Sequence, residues 1–339
     1  MPKSTVVLKS LAGIKRDGTK YEGDFYTDGQ WVRFQRGLPR KIGGYRSINK
    51  YLTEISRGFS SFTQQRLQYC HSGGASTVER FTIDSSKNSS IISSRTPVGV
   101  SATGTITLTA GGAGSVNSVT VNGVTVTSGS VAFVTDLPTT ATAVAANITA
   151  FTSTPNYSAV AVGAVITITA ATVGQATNGF VVVASTTTIT ATVTNMAGGL
   201  DALTSSVYNQ WMFQTAYDAS TTDNSLIAHV APNLSCVCND TGGQIFFGDI
   251  LGTDPLVEIP IPAGANATGG IVMMFPYLMY YGTAGVVGWS IAGTPSDLSG
   301  AGSGIARVWG QKIIKGMPLR AGSGTAPAGL FWAYDAVIR

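Results

Sequence analysis

The sequence SVTVNGVTV, residues 118–126, alternates valine with a hydroxyl side chain on both sides of an Asn-Gly pair. This alternation places the valines on one face of a strand, and Asn-Gly is a strong signal for a two-residue turn between antiparallel strands. We therefore predict a β-hairpin centred on Asn122 and Gly123.

The period of the apolar residues changes shortly after this hairpin. Val144, Ile148 and Phe151 recur at spacings of four and three in an alanine-rich run. This spacing predicts one amphipathic helix beginning near Thr139. Strand patterns precede the helix at 105–109 and resume after it, which indicates a small β-α-β module inserted at residues 99–199 (the inserted module). The resumed strands are predicted at 164–169, 180–183 and 188–193.

Composition favours short strands and tight turns in the rest of the chain. The 339 residues include 41 glycines, and only 11% are charged. Such a composition suits strands joined by turns better than helices. Two stretches, 57–84 and 270–290, read as copies of one unit of consecutive strands. We predict a mainly β protein with β-propeller-like blades in residues 51–98 and 200–339, although a β-sandwich fits the same spacing.

Charge is distributed unevenly along the chain. Residues 1–95 contain 16 Lys and Arg against 7 Asp and Glu, whereas residues 96–200 contain Asp136 as their one charged side chain. Residues 201–339 contain 5 basic against 9 acidic side chains. The basic first third predicts an acidic partner, either nucleic acid or a neighbouring protein, and a solvated basic surface remains the alternative.

Membrane and secretion signals are weak. Residues 271–289 are uncharged, but they include Pro276 and three glycines, which disfavours a transmembrane helix. The N-terminal residues 1–4 do not begin an apolar leader segment. We expect no membrane span and synthesis in a cytoplasm.

The cysteines indicate neither a disulfide framework nor a metal site. The chain has three, Cys70, Cys236 and Cys238. A single Cys-x-Cys lacks the paired spacing of structural zinc sites, so buried thiols are the preferred interpretation. We predict no metal and no cofactor.

Catalytic signatures are equally weak. His71 and His229 lie in strand-like surroundings, and residues 288–292, GWSIA, depart from the Gly-x-Ser-x-Gly elbow at the last position. Residues 302–307 lack the third glycine of a dinucleotide loop. The aspartates that a glycosidase would need are explained equally well as turn residues. We predict that the protein is not an enzyme.

A longer motif lies near the N-terminus. Residues 28–46 read DGQWVRFQRGLPRKIGGYR and follow GIKRDGT at 13–19. The pattern W-x-R-F-x-x-G-x-x-x-K-I-G-G-Y resembles the opening of the β-propeller tail nozzle proteins of short-tailed bacteriophages. Residues 271–289 and 326–333 are similar to the same family, so the resemblance covers both flanks and leaves the inserted module outside it.

The resemblance implies a virion structural protein made in the cytoplasm of a bacterial host. Its subunits would form a homo-oligomeric ring, a hexamer, below the portal and adaptor proteins, and this tail nozzle would line and gate the channel for DNA ejection. Partners would include exiting DNA, in transient contact, and other tail proteins or fibres. Family members are longer, so we expect blade sequence to continue beyond Arg339, and the alternative is that a second polypeptide completes the ring. The alternative is a host-adhesion or decoration protein of the tail that uses the inserted module.

The motif supplies the candidate docking residues. Its aromatic side chains offer apolar bulk, Gly43 and Gly44 permit a turn with positive φ, and its basic side chains offer hydrogen-bond donors. We predict that residues 1–50 form a basic arm and hairpin that docks onto an acidic adaptor surface. The docking residues are Trp31, Arg33, Phe34, Arg36, Arg40, Lys41 and Tyr45.

Overall fold

The chain forms two compact units, residues 1–50 and residues 51–339. The protein is mainly β, as predicted, and its strands are joined in several antiparallel sheets. The structure is a computed structural model that describes residues 14, 29, 32–35, 38–41, 47, 51–64, 66–220, 223–232, 242–319, 328–333 and 337–338.

The described part of the first unit contains one hairpin. Strand β1 (Val32–Gln35) pairs antiparallel with β2 (Leu38–Lys41), with Gln35 opposite Leu38.

The second unit begins with an antiparallel meander, here called the first meander. Each of its strands pairs with the next one along the chain. The strands are β3 (Gly58–Gln64), β4 (Leu67–Gly73), β5 (Val78–Ile83) and β6 (Ser93–Ser94).

The inserted module follows and contains two sheets and one helix. One sheet has the order β11-β12-β7-β14 with β15 beside β7, and the other has the order β10-β8-β13 with β9 beside β8. The elements are β7 (Val98–Ala110), β8 (Ser115–Val121), β9 (Val124–Thr125), β10 (Val131–Ala132), α1 (Leu137–Ala150), β11 (Tyr157–Val162), β12 (Val165–Val173), a 3-10 turn (Gln175–Thr177), β13 (Val182–Thr187), β14 (Thr190–Ala197) and β15 (Leu200–Ala202).

The predicted hairpin and helix are both present. Asn122 and Gly123 adopt φ values of 50° and 79° between β8 and β9, as a type I′ turn requires. Helix α1 begins at Leu137, where the carboxylate of Asp136 accepts a hydrogen bond from the backbone N–H of Thr139 at 2.7 Å.

Two strands of the module begin two residues later than predicted. Strands β13 and β14 begin at Val182 and Thr190, whereas the pattern placed them at 180 and 188. Gly179 and Thr188 have φ values of 81° and 63°. Positive φ interrupts extended backbone, so each of these residues closes a turn before its strand.

The module has a core of its own. Ile106, Val119, Val144, Ile148 and Ile166 are buried in it, and its members all lie between Ala102 and Met196. The helix contacts β11, β12 and β7, so it packs on one face of the sheet that these strands form, and it also contacts β10 of the other sheet.

Three further meanders complete the second unit. The second consists of β16 (Asn209–Asp218), β17 (Asp223–Pro232), β18 (Gln244–Asp249) and β19 (Val257–Glu258). The third consists of β20 (Gly270–Met274), β21 (Tyr277–Tyr281), a 3-10 turn (Thr283–Gly285), β22 (Val286–Trp289) and β23 (Gly304–Arg307). The fourth consists of β24 (Ile313–Leu319), β25 (Ala328–Ala333) and β26 (Val337–Ile338).

Successive meanders pack face to face. Their first strands touch in chain order, β3 with β16, β16 with β20, and β20 with β24. Because side chains alternate along a strand, β17 serves two interfaces: Leu226 and Ala228 face the core with the first meander, and Ile227 faces the core with the third. A further core, which includes Val272 and Phe331, joins the third and fourth meanders.

The two stretches that read as copies, 57–84 and 270–290, each contain the first three strands of a meander. No closed propeller or barrel is formed within the described ranges. The boundaries of the inserted module at residues 99 and 199 remain predictions.

Candidate functional site

The basic hairpin of the first unit carries the predicted docking residues that the structure describes. Arg33 lies directly opposite Arg40, Val32 opposite Lys41, and Phe34 opposite Pro39. Opposed residues of an antiparallel pair share a face, so Arg33 and Arg40 project side by side.

The two faces of the hairpin differ in exposure. Arg33, Gln35 and Arg40 are exposed on one face, whereas Val32 and Phe34 are half-buried on the other. Opposed Cβ atoms lie about 5 Å apart, and like charges at that spacing destabilise the pair. An anion between the two guanidinium groups removes this repulsion, and Arg donors suit carboxylate and phosphate oxygens.

The structure therefore brings together Arg33, Phe34, Arg40 and Lys41, with the two arginines on one face. Lys41 is exposed opposite Val32. Trp31, Arg36 and Tyr45 lie outside the described residues.

A second polar cluster joins the first and second meanders, and it was not predicted. Arg95 is 1% exposed and donates from Nε to the carbonyl oxygen of Asp254 at 3.0 Å. Arg80 is also buried and donates from Nη2 to the carbonyl oxygen of Leu251 at 3.1 Å. The two arginines thus hold the loop between β18 and β19 against the first meander.

His71 completes this cluster. Its Nε2 lies 3.4 Å from Nη1 of Arg95, and because a guanidinium only donates, the ring accepts at Nε2 and carries its proton on Nδ1. That Nδ1 has no hydrogen-bond partner among the described residues. Burial, followed by the charges of Arg95 and Arg80, lowers the pKa of His71 to about 3, so the ring is neutral at neutral pH.

Burial of the charged Arg95 side chain costs desolvation free energy. Burial and the neighbouring Arg80 lower the pKa of Arg95 to about 10, while Asp249 and Asp254 raise it. The guanidinium remains protonated at neutral pH. No local sequence pattern distinguishes Arg95 from an exposed arginine, because Asp254, whose carbonyl oxygen accepts from it, is 159 residues away in the chain.

Trp211 of β16 is the main apolar contact at the same interface. Its ring stacks on Phe213, with centroids 5.8 Å apart, and its Nε1 donates to the carbonyl oxygen of Gly74 at 2.8 Å. A Cβ at Gly73 would come within 2.4 Å of the indole of Trp211, and one at the opposed Gly58 within 2.6 Å of its backbone carbonyl oxygen and Cβ, so these two glycines form the slot that admits Trp211.

The inserted module is attached to the second meander through Glu258 of β19. The Glu258 carboxylate accepts hydrogen bonds from Nε2 of Gln175, at 2.9 Å, and from the backbone N–H of Asp201. Burial is the main reason that the pKa of Glu258 is raised. These two contacts are polar, in contrast with the apolar packing between meanders.

An open pocket of about 220 Å³ lies on the face of the third meander that turns towards the fourth. Its lining is mainly apolar and consists of Met274, Tyr277, Met279 and Trp289. The described residues that line it include none of the paired acid and base groups that a hydrolytic site needs.

Metal-binding geometry is absent from the part of the chain that the structure describes, where no group of three His, Cys, Asp or Glu side chains converges. Cys70 is buried, and burial raises the pKa of its thiol. Cys236 and Cys238 lie outside the described residues. Among those residues no helix is long and apolar enough to cross a membrane.

No protein-family model matches the chain, and no curated protein matches it significantly.

Proposed function

We propose that the chain is a structural subunit of a bacteriophage tail, and that its meanders are blades of a β-propeller in a nozzle ring below the portal and adaptor. The observation that carries this proposal is the succession of four meanders that touch through their first strands in chain order. In a propeller, each sheet packs only on its neighbours in the same way. The motif at residues 31–45 supports the same assignment.

The nozzle function needs no covalent chemistry. A ring encloses a channel when identical subunits meet through heterologous interfaces that close on themselves. DNA passes through the channel during ejection, and a rearrangement of subunits opens it. The apolar cores between meanders make each subunit rigid enough to move as one body, so gating takes place between subunits.

The basic hairpin docks the ring onto an acidic adaptor surface. Support comes from the exposed Arg33 and Arg40 pair, whose mutual repulsion an acidic partner would relieve. DNA is the less suitable permanent partner, because tightly held DNA could not leave through the channel. Its contact with the nozzle is therefore transient.

The test of the proposal is cryo-electron microscopy of the virion that contains this chain, with symmetry analysis of the density that contains it. We expect a sixfold ring below the portal with propeller-shaped subunits. A position on a peripheral fibre or spike would overturn the nozzle assignment. Virions with Arg33→Gln and Arg40→Gln together should lose ring attachment, whereas the exposed control Arg307→Gln should keep it.

Host adhesion through the inserted module is the second candidate function. It is favoured by one observation: residues 99–199 have their own core and a single charged residue, Asp136. Virions that lack the module but assemble and adsorb poorly would support adhesion. Virions in which no ring forms would show that the module is architectural.

A further inference from the structure

The sheet formed by β11, β12, β7 and β14 in the inserted module has one face that no described residue of the second unit covers. Helix α1 packs on the other face, where Ile106, Ile166 and Ile168 are buried. Along β7, the buried residues Ala102, Gly104, Ile106 and Leu108 alternate with Thr103, Thr105, Thr107 and Thr109, which are exposed or half-buried. We call the outward side of this sheet the threonine face.

Strand register arranges this face as a grid. Directly opposed residues on β11, β12, β7 and β14 form three rows of four, and eight of the twelve side chains carry a hydroxyl. Rows are about 6.7 Å apart along the strands, and strands are about 4.8 Å apart. The rows are Val162-Val165-Thr107-Thr192, Val160-Thr167-Thr105-Thr194 and Ser158-Thr169-Thr103-Ala197.

Most hydroxyls of the grid are available to a ligand. Thr105 and Thr194 bond to each other through their hydroxyls at 2.9 Å. Those of Thr107, Thr167 and Thr169, by contrast, make no hydrogen bond to any residue that the structure describes. A threonine hydroxyl can donate one hydrogen bond and accept two.

The threonine face is also free of charge. None of its twelve side chains is ionisable, and Asp136, the one charged residue between 96 and 200, lies at the start of helix α1. A charged ligand would lose hydration on this face and find no opposite charge in return. The face therefore suits an uncharged ligand that is rich in hydroxyl groups.

A second copy of the chain is a poor occupant because the face is too small. Three rows on four strands cover roughly 400 Å² at the usual strand spacings, so two copies would bury roughly 800 Å² in total. Stable protein interfaces bury about 1,200–2,000 Å². A flexible polymer of small polar units does not need so large a buried area, since each unit contacts only a few side chains.

We propose that the threonine face binds a neutral polysaccharide. Threonine hydroxyls exchange hydrogen bonds with sugar hydroxyls, while threonine and valine methyl groups pack against sugar C–H groups. Each contact is weak, and several copies of the chain on one particle would strengthen binding through avidity. This inference does not depend on the nozzle assignment, because it concerns only the inserted module.

The experiment is affinity electrophoresis of the full chain in native gels that contain dextran, mannan or galactan. The face variant carries Thr107→Val, Thr167→Val and Thr169→Val together. These changes remove three hydroxyls but keep the shape of the side chains and their preference for strands. The control is Thr63→Val, Thr125→Val and Thr152→Val together, three exposed threonines elsewhere. We expect at least one neutral polysaccharide to retard the wild type and the control, with an apparent Kd at least tenfold weaker for the face variant.

Three outcomes would overturn the proposal. The first is no retardation by any of the three polysaccharides, and the second is equal retardation of the face variant and its control. The third is that light scattering shows self-association of the wild type and the control but not of the face variant. That result would mean that the threonine face binds a second copy of the chain. Retention of the wild-type circular dichroism spectrum and Tm by both variants separates loss of binding from loss of fold.

Discussion

At the residue scale, two buried histidines make stability depend on pH. Burial lowers the pKa of His71 to about 3 and that of His229 to about 4, against an ordinary value of 6.5. The histidines bind protons in the unfolded chain but not in the folded chain at the same pH. Their contribution to the unfolding free energy is therefore fully present above pH 6.5 and is lost as the pH falls. Between pH 6.5 and pH 5, each histidine should cost about 2 kcal/mol of unfolding free energy.

Urea denaturation at pH 7 and pH 5 measures this loss. The chain has two histidines, so His71→Gln should remove about half of the pH dependence in this window, and the double variant with His229→Gln should remove most of it. Asp and Glu contribute mainly below pH 5. An unchanged pH dependence in the double variant would show that the histidines do not cause it.

Arg95 tests whether the buried cluster stabilises the contact between the first and second meanders. Arg95→Met keeps the aliphatic stem but leaves the carbonyl oxygen of Asp254 and Nε2 of His71 without their donor. We expect a loss of roughly 3 kcal/mol in unfolding free energy, since each unpaired buried acceptor costs about 1–3 kcal/mol. The exposed control Lys315→Met should change it by less than about 0.5 kcal/mol. A more stable Arg95→Met variant would mean that desolvation of the arginine outweighs its hydrogen bonds.

At the scale of elements, local chemistry determines what the sequence predicts well. The hairpin at Asn122-Gly123 and helix α1 follow from turn residues and apolar spacing within a few positions, and both are present. The late start of β14 was missed because Thr188 adopts a positive φ that its residue type does not indicate, and that of β13 because the pattern did not show that the turn at Gly179 extends to the start of the strand. Arg80, Arg95 and His71 were missed as a site because the sequence does not show which distant loop their strands will meet.

The Asn122-Gly123 turn also gives a prediction at this scale. Gly123 has a φ of 79°, whereas Gly129 has no such φ, and neither would bring a Cβ within 4 Å of another atom. Gly123→Ala should therefore reduce the unfolding free energy of the inserted module by about 1–2 kcal/mol through backbone strain alone. Gly129→Ala should be neutral or slightly stabilising, because alanine restricts the unfolded chain. Thermal melts of both variants measure the difference, and equal Tm values would contradict a type I′ turn.

At the scale of the whole molecule, the second unit contains two kinds of core. The core of the inserted module draws only on residues between Ala102 and Met196. Each core between meanders, in contrast, is shared by two sheets, so neither sheet keeps its apolar face buried without the other. The module meets the second meander through polar contacts such as those of Glu258. We therefore expect the inserted module to unfold as one cooperative unit and the four meanders to unfold together as another.

Trp211→Ala and Val144→Ala test this division from its two sides. Trp211 fills the slot between the first two meanders, and Val144 is fully buried in the module. Trp211→Ala should cost about 3–5 kcal/mol, and hydrogen exchange measured by mass spectrometry should accelerate in peptides of all four meanders while those of residues 102–196 keep their protection. Val144→Ala should accelerate exchange only within the module. Acceleration throughout the second unit in both variants would mean that the shared polar contacts couple the two kinds of core into one folding unit.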